Sequence, residues 1–226
     1  MAHPITIVFP LYPGVTHLDF TGPHQFLARL PGANLIAASV GGVPIAAGGL
    51  VFADLTTLET IERCDVLCIP GGTGCTDAMQ NAVYMAAIRR LADGARYITS
   101  VCTGSLILGA AGLLRGKRAT CHWAWRDLLT LFGALPDPGR VVRDGNVLTG
   151  GGVTAGIDFA LTLATELAGP LAAQAIQLGL EYAPAPPFNA GRPETAPPEV
   201  LALTRERMAP GASARRAAVE RVAAML

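Results

Sequence analysis

Short runs that are apolar throughout alternate along the chain with longer stretches whose apolar residues recur every three or four positions. Residues 5–9 read as a strand, followed by a Pro/Gly loop and a helix over about 21–30, and 34–40 read as a second strand. The segment 43–55, with paired Gly48-Gly49, has the pattern of a hairpin. Residues 65–69 form a third apolar strand, stopped by Pro70-Gly71-Gly72. Over 81–92, Val83, Ala87, Ile88 and Leu91 share one helical face. A fourth strand, 97–101, runs directly into a helix over 103–114. Helices are also predicted over 120–132, 155–167 and 171–181, and 140–144 pairs with 146–148 around Asp144-Gly145. A Pro-rich stretch, 183–198, precedes helical sequence that ends at Leu226.

Continuously apolar strands separated by helices predict an α/β fold, a parallel sheet covered on both faces. There is no internal repeat, and 183–198 is the only linker-like stretch. About thirty residues after it are too few for a second core, so 199–226 is expected to be a helical extension of the domain formed by 1–198. Two uncharged stretches, 30–53 and 97–114, are long enough to raise a membrane span. Pro31, Pro44 and several glycines break the first, and Gly104, Gly109 and Gly112 make the second a strand and helix, so no membrane partner is expected. Met1-Ala2-His3-Pro4 shows no basic region before an apolar run, hence no secretory signal.

Composition narrows the partners. Seventeen basic and seventeen acidic side chains give a formal net charge of zero, which argues against nucleic acid. Hydrophobic residues are 51% and charged residues only 15%, so part of the surface is expected to be covered by a second copy, a homodimer. Five cysteines without regular spacing do not read as a disulfide framework; a reducing, cytoplasmic compartment is expected.

In open parallel sheets, sites form beyond the carboxyl ends of the strands. Asp19 follows the first strand, Pro70-Gly71-Gly72-Thr73 the third, and Ser100-Val101-Cys102-Thr103-Gly104 the fourth. A thiol between an apolar strand and a helix, with small residues on either side, has the layout of a nucleophile elbow. Gly104 lets the helix pack closely, Ser100 keeps the approach uncrowded, and the helix N-terminus is expected to lower the Cys102 pKa. Backbone N–H groups of Gly72 and Thr103 are candidates for an anion hole. Read from spacing alone, Cys102 is either this nucleophile or a buried structural thiol. Asp19 is either a site acid or a solvated loop acid or cap, while His17 and His24 read as surface or packing residues. His122 either activates the thiol or packs beside Trp123 and Trp125. Cys68 lies in an apolar strand and reads as packing, Cys64 sits at that strand's start, and Cys75 and Cys121 lie in or near loops. No cysteine–histidine spacing makes a metal site. Gly72-Thr73-Gly74-Cys75-Thr76-Asp77 lacks the third glycine of a dinucleotide loop.

Together, Cys102 at the elbow, Pro70-Gly71-Gly72 and Asp19-Phe20-Thr21-Gly22-Pro23 resemble the PfpI-type branch of the class I glutamine-amidotransferase-like superfamily. Within it they are most similar to the isocyanide-hydrating members, as are Thr99-Ser100-Val101-Cys102-Thr103-Gly104-Ser105, Gly116-Lys117-Arg118-Ala119-Thr120, the run from Gly150 to Phe159, and Glu181-Tyr182-Ala183-Pro184. The resemblance implies a flavodoxin-like layered sandwich. It also implies hydration of isocyanides to N-substituted formamides through a cysteine thioimidate, with an isocyanide and water as the small-molecule partners and no cofactor. Cys102 is then the nucleophile, Asp19 handles protons and Thr103 supports the site. Gly150-Gly151-Gly152 is expected to give the chain conformational freedom as it enters the next helix, with Val153 and Thr154 as supporting residues in a shift that admits water. Another cysteine-dependent member of the branch, a glyoxalase-like hydratase or an amidase, stays open, as does a ligand-sensing domain without catalysis.

Overall fold

The computed structural model describes residues 4–226; Met1-Ala2-His3, read above for a leader, lies outside them. The chain begins β1 (Ile5–Pro10), α1 (His17–Leu27), β2 (Ala33–Ser39), β3 (Ile45–Ala47), β4 (Leu50–Phe52), β5 (Thr56–Thr57) and β6 (Val66–Ile69). It continues through α2 (Cys75–Gln80), α3 (Ala82–Asp93), β7 (Tyr97–Val101) and α4 (Gly104–Ala110). Then come β8 (Arg118–Ala119), a 3-10 segment (Arg126–Phe132), β9 (Leu135–Pro136), β10 (Val141–Asp144) and β11 (Val147–Gly150). Helices α5 (Ala155–Gly179), α6 (Pro198–Met208) and α7 (Ala212–Ala223) close it.

The main sheet runs β10-β11-β7-β6-β1-β2-β5 and is parallel except for the β10–β11 hairpin. From β1 the chain crosses to β2 on one side, and from β6 it crosses to β7 on the other. Right-handed crossovers in opposite directions put their helices on opposite faces, so α1 and α5, which pack together, cover one face and α3 and α4 the other. The strand order reverses between β6 and β1, and the crevice at that reversal is where such sheets hold their ligands. The expected flavodoxin-like sandwich is what forms.

Several elements differ from the sequence reading, each for a long-range reason. Helix α1 starts at His17, not near Thr21, because Val15 bridges Gly72 and the Thr16 N–H donates to Gly71 O at 2.9 Å, turning the chain early. Asp19 therefore sits inside the helix. No helix spans 120–132; only its second half coils, as a 3-10 segment. The Thr120 N–H donates to Thr149 Oγ1 (2.9 Å) and its carbonyl accepts from Ser105 Oγ (2.6 Å), so neighbouring elements have claimed that backbone. Val83 is 47% exposed, because Tyr84 turns inward instead and its hydroxyl donates to Pro10 O at 3.0 Å. Cys75, expected in a loop, starts α2. Residues 155–167 and 171–181 merge into α5 around a break at Gly169 (φ 84) and Pro170. Helix α5 is long and apolar enough to span a membrane, but its Asp158 and Glu166 pair with Arg140 and Arg143 and it packs along α1.

Close approach of α4 to the sheet is the tightest packing constraint. A Cβ on Gly104 would lie 2.2 Å from Ile69 O, a backbone atom that cannot yield without moving β6. Gly104→Ala is expected to destabilise the protein by about 3 kcal/mol or more in urea unfolding. Gly94→Ala, in open space at the end of α3, should change stability by less than about 1 kcal/mol. Equal effects of the two changes would contradict this packing.

Candidate active site

Cys102 follows the last residue of β7, and its N–H donates to Gly150 O (3.0 Å), the final sheet-like bond on that strand. Its φ of 57° is left-handed, which costs a residue with a side chain about 1–2 kcal/mol and aims the sulfur out of the strand–helix junction. This is the elbow the sequence predicted. Ser100 is buried, and its hydroxyl hydrogen-bonds that of Ser105 at 2.8 Å.

Asp19 reaches the same point from α1 and has no solvent exposure. Its Oδ2 accepts the Gly71 N–H at 3.0 Å, whereas the buried Oδ1 has no partner. Gly71 is where three elements meet. A Cβ there would lie 2.6 Å from Asp19 Oδ2, 2.6 Å from the Thr103 nitrogen and 2.8 Å from Cys102 Cβ. Only glycine lets the acid, the thiol and the helix start converge.

Burial raises the Asp19 carboxyl from 3.8 to about 7, against the opposing pull of its hydrogen bonds with Cys102 and Gly71. Burial, and then the nearby Asp19 charge, also push the Cys102 thiol well above its ordinary value, with the Thr103 N–H opposing. The thiol pKa lowered by a helix terminus, expected from sequence, is thus overturned, since α4 is a seven-residue helix whose effect is outweighed by desolvation. Burial thus holds the proton on Asp19, and burial together with the Asp19 charge holds the proton on Cys102.

Thr103 and Gly72 are brought together, but not as an anion hole of two free N–H groups. The Gly72 N–H donates to Thr103 Oγ1 (2.9 Å), and that hydroxyl donates back to Gly72 O (3.1 Å). Gly72 therefore braces Thr103, leaving the Thr103 N–H as the backbone donor beside the sulfur. His122 is only partly buried; its Nδ1 accepts the Ala124 N–H (3.3 Å), its ring lies against Trp123, and burial lowers its pKa. No hydrogen bond among the described residues joins it to Cys102. With Val153 and Thr154 it lines a neighbouring cavity of ≈ 240 Å³. None of Gly150, Gly151 and Gly152 has a left-handed φ, and a Cβ on Gly150 would sit 3.3 Å from Phe159 Cβ, so that first glycine serves close packing. The start of α5 is held rather than loose, with Arg140 donating to Thr154 O (3.0 Å) and pairing with Asp158, which also accepts the Tyr182 hydroxyl (2.9 Å).

His17 and His24 stay out of the site, the second packed on Phe9 and Phe20. Cys68 is a core residue as expected, and Cys64, Cys75 and Cys121 are buried too, Cys121 in a loop. All five cysteines are free thiols. No cluster of potential metal ligands occurs among the described residues. The sequence reading missed Tyr12, whose buried hydroxyl donates to Pro70 O at 2.8 Å and fixes the turn that carries Gly71. Its one sequence signal is an aromatic residue inside a Pro/Gly loop.

A flavodoxin-like sheet with an elbow cysteine and a buried acid from the first helix defines the class of protein. The chain belongs to the DJ-1/PfpI family, whose pattern it matches over residues 5–166. It is 53% identical over 223 residues to the isonitrile hydratase of Pseudomonas putida, an alignment covering 98% of each chain. Its fold superposes on a THiJ/PfpI family protein from Pseudomonas syringae with a TM-score of 0.92 at 42% identity, covering 97% of this chain and 90% of that one. Drosophila melanogaster DJ-1beta is more distant, with a TM-score of 0.71 at 26% identity over 80% of this chain and 100% of that one.

The raised Asp19 pKa has a consequence for stability. The folded protein keeps this proton up to about pH 7, whereas the unfolded chain loses it near 3.8. Stability from Asp19 is therefore complete below pH 4 and falls as pH rises toward 7, by on the order of 4 kcal/mol. Urea unfolding of the wild type and Asp19→Asn between pH 4 and 7 should show the wild type losing stability relative to the variant as pH rises. Parallel curves would mean that Asp19 ionises normally.

Proposed function

We propose that this chain is an enzyme that hydrates isocyanides to N-substituted formamides, using Cys102 as nucleophile and Asp19 as proton donor. The observation that carries the reading is the buried Asp19–Cys102 pair, which holds a proton beside a nucleophile in a site closed to bulk water. The near-full-length similarity to an isonitrile hydratase supports it.

The terminal carbon of an isocyanide is both electrophile and incipient carbanion. When the Cys102 sulfur bonds to it, an electron pair is left on that same carbon, and the proton shared with Asp19 is transferred there. The product is a neutral thioimidate, R–N=CH–S–Cys102, and Asp19 is left as a carboxylate. Asp19 then accepts a proton from water as its oxygen adds to the thioimidate carbon. Collapse of that adduct breaks the C–S bond, the nitrogen takes the second proton, and the formamide leaves with one proton restored to the pair. The Thr103 N–H, beside the sulfur, stabilises charge there during attack and release. Thr103 Oγ1 fixes the turn that carries Gly71 and hence the Asp19 carboxyl. His122, Val153 and Thr154 shape the adjoining cavity.

The protein acts as a two-fold dimer in this reading, with α6 and α7 part of the same domain and a reducing, cytoplasmic setting for its free thiols. Low charge supports the dimer, as do the exposed apolar side chains of Leu50 (51%) and Val51 (67%) on the β4 hairpin strand. Light scattering should give twice the chain mass of 23.4 kDa; a monomer at micromolar concentration would contradict this.

Purified protein mixed with a simple alkyl isocyanide should release the matching formamide, with methylglyoxal as the competing substrate. Cys102→Ala should release none while unfolding like the wild type, and Asp19→Asn should lose about 10²–10⁴ in kcat. Mass spectrometry of quenched wild type should find one isocyanide added to Cys102. Turnover of methylglyoxal without formamide production would overturn the reading.

A further inference from the structure

A second cavity lies away from the thiol, between α2, the Trp125 turn and the C-terminal helices. Its volume of ≈ 610 Å³ falls within the range of small-molecule sites, about 300–1,000 Å³. Three arginines line it, Arg207 from α6 and Arg215 and Arg221 from α7, against a single carboxylate, Asp77. None of the three has a salt bridge or a hydrogen bond from its guanidinium among the described residues. Their neighbour Arg216, by contrast, pairs with Asp127 at 2.6 Å. Arg215 is the telling residue. Its guanidinium lies 4.3 Å over the Trp125 ring, and its Nε is buried without an acceptor. A desolvated guanidinium edge without a partner is costly, and the face of an indole offsets only part of that cost. Held over the ring, the guanidinium leaves its two terminal nitrogens without a protein partner among the described residues, a planar pair suited to a bidentate oxyanion.

We propose that this cavity is a binding site for a small organic anion with at least two acidic groups, held by the Arg215 fork and flanked by Arg207 and Arg221. Thr73, Thr76 and Gln80 also line it, beside the one carboxylate of Asp77. The site is distinct from the Cys102 pair but lies near it: the charge of Arg215 is felt at Cys75, Cys121 and His122. The inference does not depend on the isocyanide reading.

Isothermal titration at constant ionic strength, with pyrophosphate and citrate as probes and chloride as the balancing ion, tests this. One equivalent of at least one probe should bind. The exposed double variant Arg207→Gln/Arg221→Gln should bind it at least tenfold more weakly, and Arg215→Gln should not bind it measurably. Tighter binding of pyrophosphate assigns the site to phosphate esters, and tighter binding of citrate to polycarboxylates. Should Arg215→Gln fail to fold, the double variant carries the test, since both of its side chains project from the surface. Binding of neither probe, or undiminished binding in a folded double variant, overturns the proposal.

Discussion

Desolvation of one carboxyl group sets the terms for the whole site. Asp19 is fully buried, receives one backbone hydrogen bond at Oδ2 and leaves Oδ1 unsatisfied. An ionised carboxylate in such a position would be costly, so the group keeps its proton near neutrality and faces a thiol that is itself desolvated. Much of the surrounding architecture follows from holding these two groups together. Gly71 is a glycine because nothing larger fits between acid, thiol and helix start. Tyr12 and Thr103 spend their hydroxyls on fixing the 70–72 turn. Left-handed backbone strain at Cys102 is sustained because β7 is paired on both sides and α4 is pressed against β6 through Gly104.

The site acquires its chemistry from opposing demands on a single proton. A thiol next to a carboxylate is a poor acid, and a carboxyl cut off from water is a poor one too, so protons stay within the pair. A substrate whose reacting carbon needs both a nucleophile and a proton is matched to that stock. An oxyanion-forming substrate would instead need free backbone donors, and the Gly72 N–H is already committed to Thr103. This is the physical ground on which isocyanide hydration is favoured over acyl transfer.

Much of this was legible in the sequence, and the gaps have physical causes. The core strands, the β3–β4 hairpin and the elbow announce themselves locally, through apolar runs, paired glycines and small residues around Cys102. Asp19 was visible as a strand-end acid, but its partnership with Cys102 came from resemblance. Its burial depends on an early start to α1 that is imposed by contacts with the distant 71–72 turn. The missing helix over 120–125 fails for the same kind of reason, because Thr120 bonds to Ser105 and Thr149 across the fold. Gly150 is needed for its size and not for a left-handed φ, a distinction that sequence does not make. Arg215 was invisible as a candidate because its isolation from carboxylates is a property of tertiary packing.

The central claim is that Asp19 keeps its proton inside the folded protein well above the pH at which an ordinary carboxyl loses it. Infrared difference spectroscopy across a pH titration reads this directly, through the carbonyl stretch of a protonated carboxylic acid that is absent in Asp19→Asn. The account predicts a band assigned to Asp19 that persists at pH 6 and disappears around pH 7, the value to which burial raises the group. A band that vanishes near pH 4, like that of an ordinary carboxyl, would contradict it.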